Sequence, residues 1–79
     1  MSEVSAESKI VTLLSSLAKV DESVIRNSLD QPNLWDSFAH VEMIITLEED
    51  FGITFSQDEI AEMLTPSVVI SYVKKKVMV

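Results

Sequence analysis

The amino-acid sequence predicts an all-α fold, a small antiparallel bundle of three main helices and one short helix with a long first loop. Apolar residues recur at intervals of three and four in three separate segments, which is the spacing of one helix face. Residues that cap or terminate helices stand at the ends of these segments. No stretch alternates apolar and polar residues convincingly enough to predict a strand. The 79 residues allow one domain, residues 1–79.

The first helix is predicted at residues 6–18. One apolar stripe runs along it, formed by Ile10, Leu13, Leu14 and Leu17. A serine hydroxyl can accept a hydrogen bond from the first turn of a helix, so Ser5 or Ser2 is a candidate cap. The sequence leaves the choice between these two serines open.

A long connection is predicted at residues 20–35. It is rich in Asp, Asn, Ser and Pro, which favour turns and loops over regular structure. Its apolar residues are expected to pin it onto the core; they are Val24, Ile25 and Leu29.

The second helix is predicted at residues 37–51. Asp36 precedes it as an N-cap, because its carboxylate can accept from backbone N–H groups of the first turn. Gly52 is the only glycine in the chain and is placed to end the helix in the left-handed conformation. The apolar stripe consists of Val41, Ile44, Leu47 and Phe51.

Two further helices are predicted near the end of the chain. Ser56 and Glu59 match a capping box, which starts a short helix at residues 57–63. Thr65 as a cap and Pro66 at the first position start a helix at residues 66–76. Three lysines in its last turn complement the helix dipole. Its inner face is formed by Val68, Val69, Tyr72 and Val73.

The composition excludes several functional classes. The chain is 47% hydrophobic, too apolar for a disordered protein. It has no cysteine and one glycine, so it has neither a disulfide scaffold nor a glycine-rich phosphate loop. The net charge of −7 argues against binding nucleic acid. The longest apolar runs have three residues and no signal peptide precedes them, so we expect no membrane insertion and a cytoplasmic location.

The negative charge is concentrated in one third of the sequence. Residues 36–62 contain eight acidic residues and neither Lys nor Arg, whereas residues 63–79 contain only three lysines. A run of like charge usually forms a solvated face that keeps a small protein soluble. It also fits a docking surface for a basic partner.

A motif without gaps begins at the start of the second predicted helix. It reads Asp36-Ser37-Phe38, then Val41-Glu42-Met43, then Leu47-Glu48-Glu49-Asp50-Phe51. This motif resembles the acyl carrier protein family, whose pattern is Asp-Ser-Leu, then Val-Glu-Leu, then an acidic helix end. The likeness covers most of the chain and is weakest in the first helix.

The resemblance implies that Ser37 carries a 4′-phosphopantetheine arm, transferred from coenzyme A by a phosphopantetheinyl transferase. The arm's thiol would hold an acyl group as a thioester for enzymes of fatty acid, polyketide or related lipid biosynthesis. These partners would be acyl-loading, condensing or transferase enzymes with basic docking patches. The chain itself would be a non-catalytic monomer that binds no metal.

The resemblance also assigns two groups of residues. Partner docking would involve Asp36, Phe38, Val41, Glu42, Ile45, Glu48, Glu49, Asp58 and Glu59. An acyl chain would be sheltered by the core residues Ile44, Leu47, Phe51, Ile60, Val69 and Tyr72. Ordinary core packing is the alternative role for this second group. It is also the alternative for the apolar docking residues Phe38, Val41 and Ile45, and for Val41 partner contact and core packing are equally plausible. His40 lacks a second metal ligand at a suitable spacing and is interpreted as a surface residue.

The sequence departs from the family pattern at three places. Ala39 replaces a common acid, Phe38 replaces Leu, and Leu34-Trp35 stands where Gly and a small residue are usual. These differences favour a stand-alone carrier dedicated to one pathway. Two alternatives stay open: an aminoacyl or peptidyl carrier that uses the same serine, and an interaction module that has the carrier shape without the arm.

Overall fold

The computed structural model describes the backbone of residues 3–77 and the side chains of residues 6–77. Five helices follow one another: α1 (Glu3–Ala18), α2 (Glu22–Arg26), α3 (Ser37–Phe51), α4 (Gln57–Glu62) and α5 (Pro66–Val77). Residues 3–77 contain no strand, so the predicted all-α class is confirmed. Within the same residues, no helix has the length and apolar character needed to cross a membrane.

Helix α2 is the main departure from the predicted architecture, since it lies inside the segment predicted as a loop. The carbonyl oxygen of Asp21 accepts from the N–H groups of Val24 and Ile25, which closes its first turn. Ile25 is fully buried, whereas Val24 and Leu29 are 41% and 39% exposed. Only one of the three predicted pins therefore enters the core. A single helical turn directs adjacent side chains to different sides, so Val24 cannot follow Ile25 inward.

Helix α1 begins earlier than predicted and extends to the predicted end. Because it starts at Glu3, Ser5 lies within the helix and is not its cap, while Ser2 lies outside the described residues. Its C-terminus turns at Lys19, which has a positive φ of 60°, and the Val20 N–H donates to the Ser15 carbonyl at 3.0 Å. The buried face of α1 consists of Ile10, Val11 and Leu14.

Helix α3 has the predicted bounds and both predicted terminal residues. The Asp36 carboxylate accepts from the Ala39 N–H at 2.8 Å, and Gly52 is left-handed with a φ of 65°. The apolar stripe was wrong at Val41, which is 57% exposed. The face of α3 that packs inward is rotated away from Val41 and consists of Ala39, Met43, Ile44 and Leu47.

Helices α4 and α5 start as predicted, although α4 ends one residue earlier and α5 one residue later. Ser56 and Glu59 form the predicted capping box, with N···O distances of 3.2 and 2.8 Å. The Thr65 hydroxyl accepts from the Val68 N–H at 3.4 Å. Helix α5 contributes the buried residues Pro66, Val69, Ile70 and Val73. The core therefore lies between α1, α3 and α5, and is completed by Ile25, Phe55 and Met63.

Candidate functional site

Ser37 is the first residue of α3 and its side chain is exposed. Asp36 has an extended backbone conformation and accepts two hydrogen bonds from the first turn of α3. Its carboxylate accepts from Ala39 N–H, and its carbonyl oxygen accepts from His40 N–H at 2.9 Å. The Ser37 hydroxyl makes no hydrogen bond with any residue that the structure describes. The Ser37 hydroxyl oxygen is therefore exposed to solvent at a capped helix N-terminus.

A hydrogen-bonded bridge connects three segments beside Ser37. The Trp35 indole N–H donates to His40 Nδ1 at 3.0 Å, and His40 Nε2 lies 2.8 Å from the Ile60 carbonyl oxygen. Because an indole nitrogen only donates, Nδ1 must accept, so Nε2 carries the hydrogen and donates to Ile60. The two ring planes are within 10° of parallel. The bridge joins the segment before α3 to α3 itself and to α4.

His40 therefore differs from the sequence interpretation, which placed it on the surface. It is half-buried and both ring nitrogens are bonded. Trp35 lies only five residues before His40, so this hydrogen bond could have been suspected from the sequence. The Ile60 carbonyl lies twenty residues after His40, and a backbone carbonyl gives no signal in the sequence. The bridge leaves Nδ1 as the acceptor, because a hydrogen on Nδ1 would face the indole N–H.

A cavity of about 330 Å³ lies next to Ser37, and we call it the Trp35 cleft. Asn33, which precedes α3 in the left-handed conformation at a φ of 64°, contributes to one side. The cleft is lined by Asn33, Trp35, Asp36, Ser37, His40, Val41 and Leu64. Two of its apolar side chains are largely exposed, Val41 at 57% and Leu64 at 54%. Neither Asn33 nor Leu64 was predicted as a site residue, because neither belongs to the motif around Ser37.

The outer face of α3 carries apolar side chains that the core does not use. Phe38 is 76% exposed and Ile45 is 50% exposed, and Val41 lies between them along the helix. Glu42 and Glu49 share this face, since they follow Phe38 by four and eleven residues. An apolar strip flanked by carboxylates therefore runs from Ser37 along α3.

The acids predicted for partner docking fall into two groups. Asp36, Glu48 and Glu59 hold the fold together: Asp36 caps α3, Glu48 accepts from Phe55 N–H at 3.0 Å, and Glu59 pairs with Lys76 at 3.0 Å. Hydrogen bonding from the Ser56 backbone, followed by the contact with Lys76, lowers the pKa of Glu59. The second group is exposed and forms no ion pair with a described residue; its members are Glu42, Glu49 and Asp58.

The residues predicted to shelter an acyl chain lie together in the structure. Half of them are buried in the core, namely Ile44, Leu47 and Val69. The other half are partly buried and pack against it, namely Phe51, Ile60 and Tyr72. The Tyr72 hydroxyl donates to Glu62, and this bond raises the pKa of Tyr72. Their arrangement is that of a packed core, and their role toward an acyl chain stays a prediction.

Within the described residues, no group of three or more His, Cys, Asp or Glu side chains is placed to hold a metal ion. In comparisons with known proteins, no family model matches this chain and no curated protein matches its sequence. The relationship to acyl carrier proteins therefore stays a prediction that depends on the motif around Ser37.

Proposed function

We propose that this chain is an acyl carrier protein that holds acyl intermediates on a 4′-phosphopantetheine arm attached to Ser37. One observation carries the proposal: the serine of the motif is exposed at the first residue of α3, between a cleft and an apolar, acidic helix face. A buried or hydrogen-bonded serine would not fit an attachment site. Ser37 fits this role because its oxygen is accessible to a modifying enzyme.

Attachment would require little of the chain itself. The Ser37 oxygen would attack the phosphorus of coenzyme A nearest the pantetheine, forming a phosphodiester while adenosine 3′,5′-bisphosphate leaves and the hydroxyl proton passes to the transferase. The resulting negative charge would lie near the N–H groups at the start of α3, where the helix dipole favours an anion. When attached, the arm supplies the thiol that this cysteine-free chain lacks, and that thiol holds the acyl group.

Partner enzymes would dock on the outer face of α3. Phe38, Val41 and Ile45 offer apolar contacts, and the exposed carboxylates Glu42 and Glu49 suit Lys and Arg side chains. Each exposed ion pair is worth about 0.2–1 kcal/mol, so docking would be weak and reversible. Weak docking suits a carrier that serves a phosphopantetheinyl transferase first and then loading, condensing or transferase enzymes of lipid or polyketide synthesis.

Intact-mass measurement tests the proposal. The protein is incubated with coenzyme A and a promiscuous phosphopantetheinyl transferase, together with Ser37→Ala and the control Ser71→Ala, which alters another exposed serine. We expect the wild type and Ser71→Ala to gain one phosphopantetheine each, and Ser37→Ala to gain none. A folded wild type that gains nothing would overturn the proposal and favour an interaction module without an arm.

The nature of the cargo needs a second experiment. The protein that carries the phosphopantetheine arm is incubated with acyl and aminoacyl donors and the enzymes that transfer them. We expect the acyl group to be transferred to the thiol of the arm. Efficient aminoacyl loading in its place would favour the peptidyl-carrier alternative.

We also expect poor loading by a housekeeping malonyl transferase, because Trp35 and Phe38 alter the surface around Ser37. Efficient use by the complete fatty-acid machinery would contradict a dedicated role.

A further inference from the structure

The Trp35 cleft has an apolar lining that the protein leaves open to water. Trp35, Val41 and Leu64 contribute this lining, and no residue of the core covers Val41 or Leu64. Apolar surface of this kind gains free energy when a ligand removes it from water. Ser37 lies in the wall of the same cleft, so a group attached to its oxygen begins at the cleft rather than reaching it from a distance.

The aromatic wall of the cleft is held in place before any ligand arrives. The Trp35 indole is bonded to His40, and His40 is bonded in turn to the Ile60 carbonyl of α4. A side chain that is already ordered loses little conformational freedom on binding, so the cleft is preorganised. Trp35 cannot rotate its ring away from this position without breaking the bond to His40.

The polar groups of the cleft indicate which ligand chemistry it accepts. Both nitrogens of His40 are used in the bridge, and one Asp36 carboxylate oxygen is used by the Ala39 N–H. Asn33 also lines the cleft, and its side chain is an amide, a group that can donate to a carbonyl and accept from an N–H. The cleft therefore suits a short aliphatic segment that carries an amide.

We propose that the Trp35 cleft binds the first segment of the phosphopantetheine arm, the branched aliphatic and amide-bearing part next to the phosphate. This inference rests on the proposed attachment to Ser37. The volume of about 330 Å³ lies at the lower end of the range for small-molecule sites, roughly 300–1,000 Å³, and so suits one segment of the arm. The thiol end and its cargo extend beyond the cleft toward partner enzymes.

Trp35 is the only tryptophan in the chain, so its fluorescence reports on the cleft directly. The apo and phosphopantetheine-loaded forms are prepared, weighed intact and compared for emission maximum and for quenching by acrylamide. We expect loading to shift the emission to shorter wavelength and to reduce quenching, because the arm covers the indole.

Two leucine substitutions test whether the change in Trp35 fluorescence arises in the cleft. Leu64→Ala removes most of an apolar side chain that lines the cleft, and Leu29→Ala makes the same change at a partly exposed leucine outside the cleft. Both side chains are substantially exposed, so both variants should fold, as circular dichroism will check. We expect the protection of Trp35 on loading to be lost in Leu64→Ala and retained in Leu29→Ala.

The possible outcomes separate the two proposals. A wild type that gains the arm while its Trp35 emission and quenching stay unchanged overturns the cleft assignment and leaves the carrier function intact. Protection that persists in Leu64→Ala also overturns the cleft assignment. A wild type that gains no mass overturns the carrier function, and the assignment of the cleft to the arm fails with it.

Discussion

Gly52 ends α3 because it adopts a backbone conformation that other residues reach only at a cost. Its φ is 65°, and a Cβ added there would meet nothing within 4 Å. Replacement by alanine therefore introduces backbone strain without a steric clash. We expect Gly52→Ala to lower the free energy of unfolding by about 1–2 kcal/mol, measured by urea denaturation. Gly52→Asn should lose less, because asparagine tolerates this conformation, and equal losses in the two variants would contradict the explanation.

His40 connects Trp35 to Ile60, and its removal leaves two polar groups without their partner. We expect His40→Ala to lower the free energy of unfolding by about 1–2 kcal/mol, because the indole N–H and the Ile60 carbonyl lose their hydrogen bonds. The control Glu42→Ala alters an exposed residue of the same helix and should change it by no more than about 0.5 kcal/mol. Equal unfolding free energies for both variants would show that the bridge contributes nothing to stability.

At the scale of elements, α4 is held by polar contacts more than by burial. None of its residues is fully buried. Its links to the rest of the chain include His40 to the Ile60 carbonyl, Lys76 to Glu59, and Tyr72 to Glu62. Interactions of this kind respond to pH and to substitution of single side chains. Helix α4 is therefore the element whose attachment can be tested by titration.

The lowered pKa of Glu59 predicts how the stability depends on pH. A carboxylate whose pKa is lower in the folded state stabilises the fold fully above its unfolded value of 4.5, and this contribution is lost as the pH falls through the folded-state pKa. We expect Glu59→Gln to be less stable than the wild type at neutral pH and to approach it in acid. The measurement is the free energy of unfolding in urea, taken from neutral pH to below pH 4.5.

The control for this titration is Asp58→Asn, which neutralises the exposed acid next to Glu59. Asp58 makes neither the hydrogen bond to Ser56 nor the ion pair with Lys76 that Glu59 makes. The loss of unfolding free energy at neutral pH should therefore be smaller for Asp58→Asn than for Glu59→Gln. A difference for Glu59→Gln that stays constant down to strongly acidic pH would contradict the assigned cause.

At the scale of the whole molecule, the charges that sum to −7 are unevenly distributed. Two exposed carboxylates of α3, Glu42 and Glu49, lie on the face that begins at Ser37, whereas lysines of α5 pair with Glu7 and Glu59. Under the proposed function, this arrangement of charge would orient a basic partner toward the face that carries the serine. A pattern read along the sequence thus becomes a surface in three dimensions.

Two charge reversals at neighbouring positions test this surface. Glu49→Lys changes the face that Phe38 and Ile45 occupy, and Asp50→Lys makes the same charge change about a quarter turn away. We expect Glu49→Lys to lower kcat/KM of the phosphopantetheinyl transferase about 1.5- to 5-fold, the equivalent of one exposed ion pair. The loss should diminish at high salt. Equal losses in both variants would indicate a general charge effect and not a docking face.

The sequence by itself determined the features that depend on near neighbours. The capping residues Asp36 and Ser56, the terminating Gly52 and the bounds of α3 were predicted correctly, because each depends on residues within about one turn. The single turn of α2 was missed because five residues are too few for an apolar period to show. The sequence left Val41 open between core packing and partner contact because both faces of α3 carry apolar residues, and periodicity alone does not say which face meets the core.

Only the tertiary structure decided what surrounds Ser37. The path of the chain brings the Ile60 carbonyl to His40 and places Leu64 in the same cleft as Trp35, across many intervening residues. A backbone carbonyl has no residue-specific signal, and an exposed leucine resembles any other leucine in a sequence. The motif therefore predicted the serine and its helix, whereas the cleft and the bridge follow from how the helices pack.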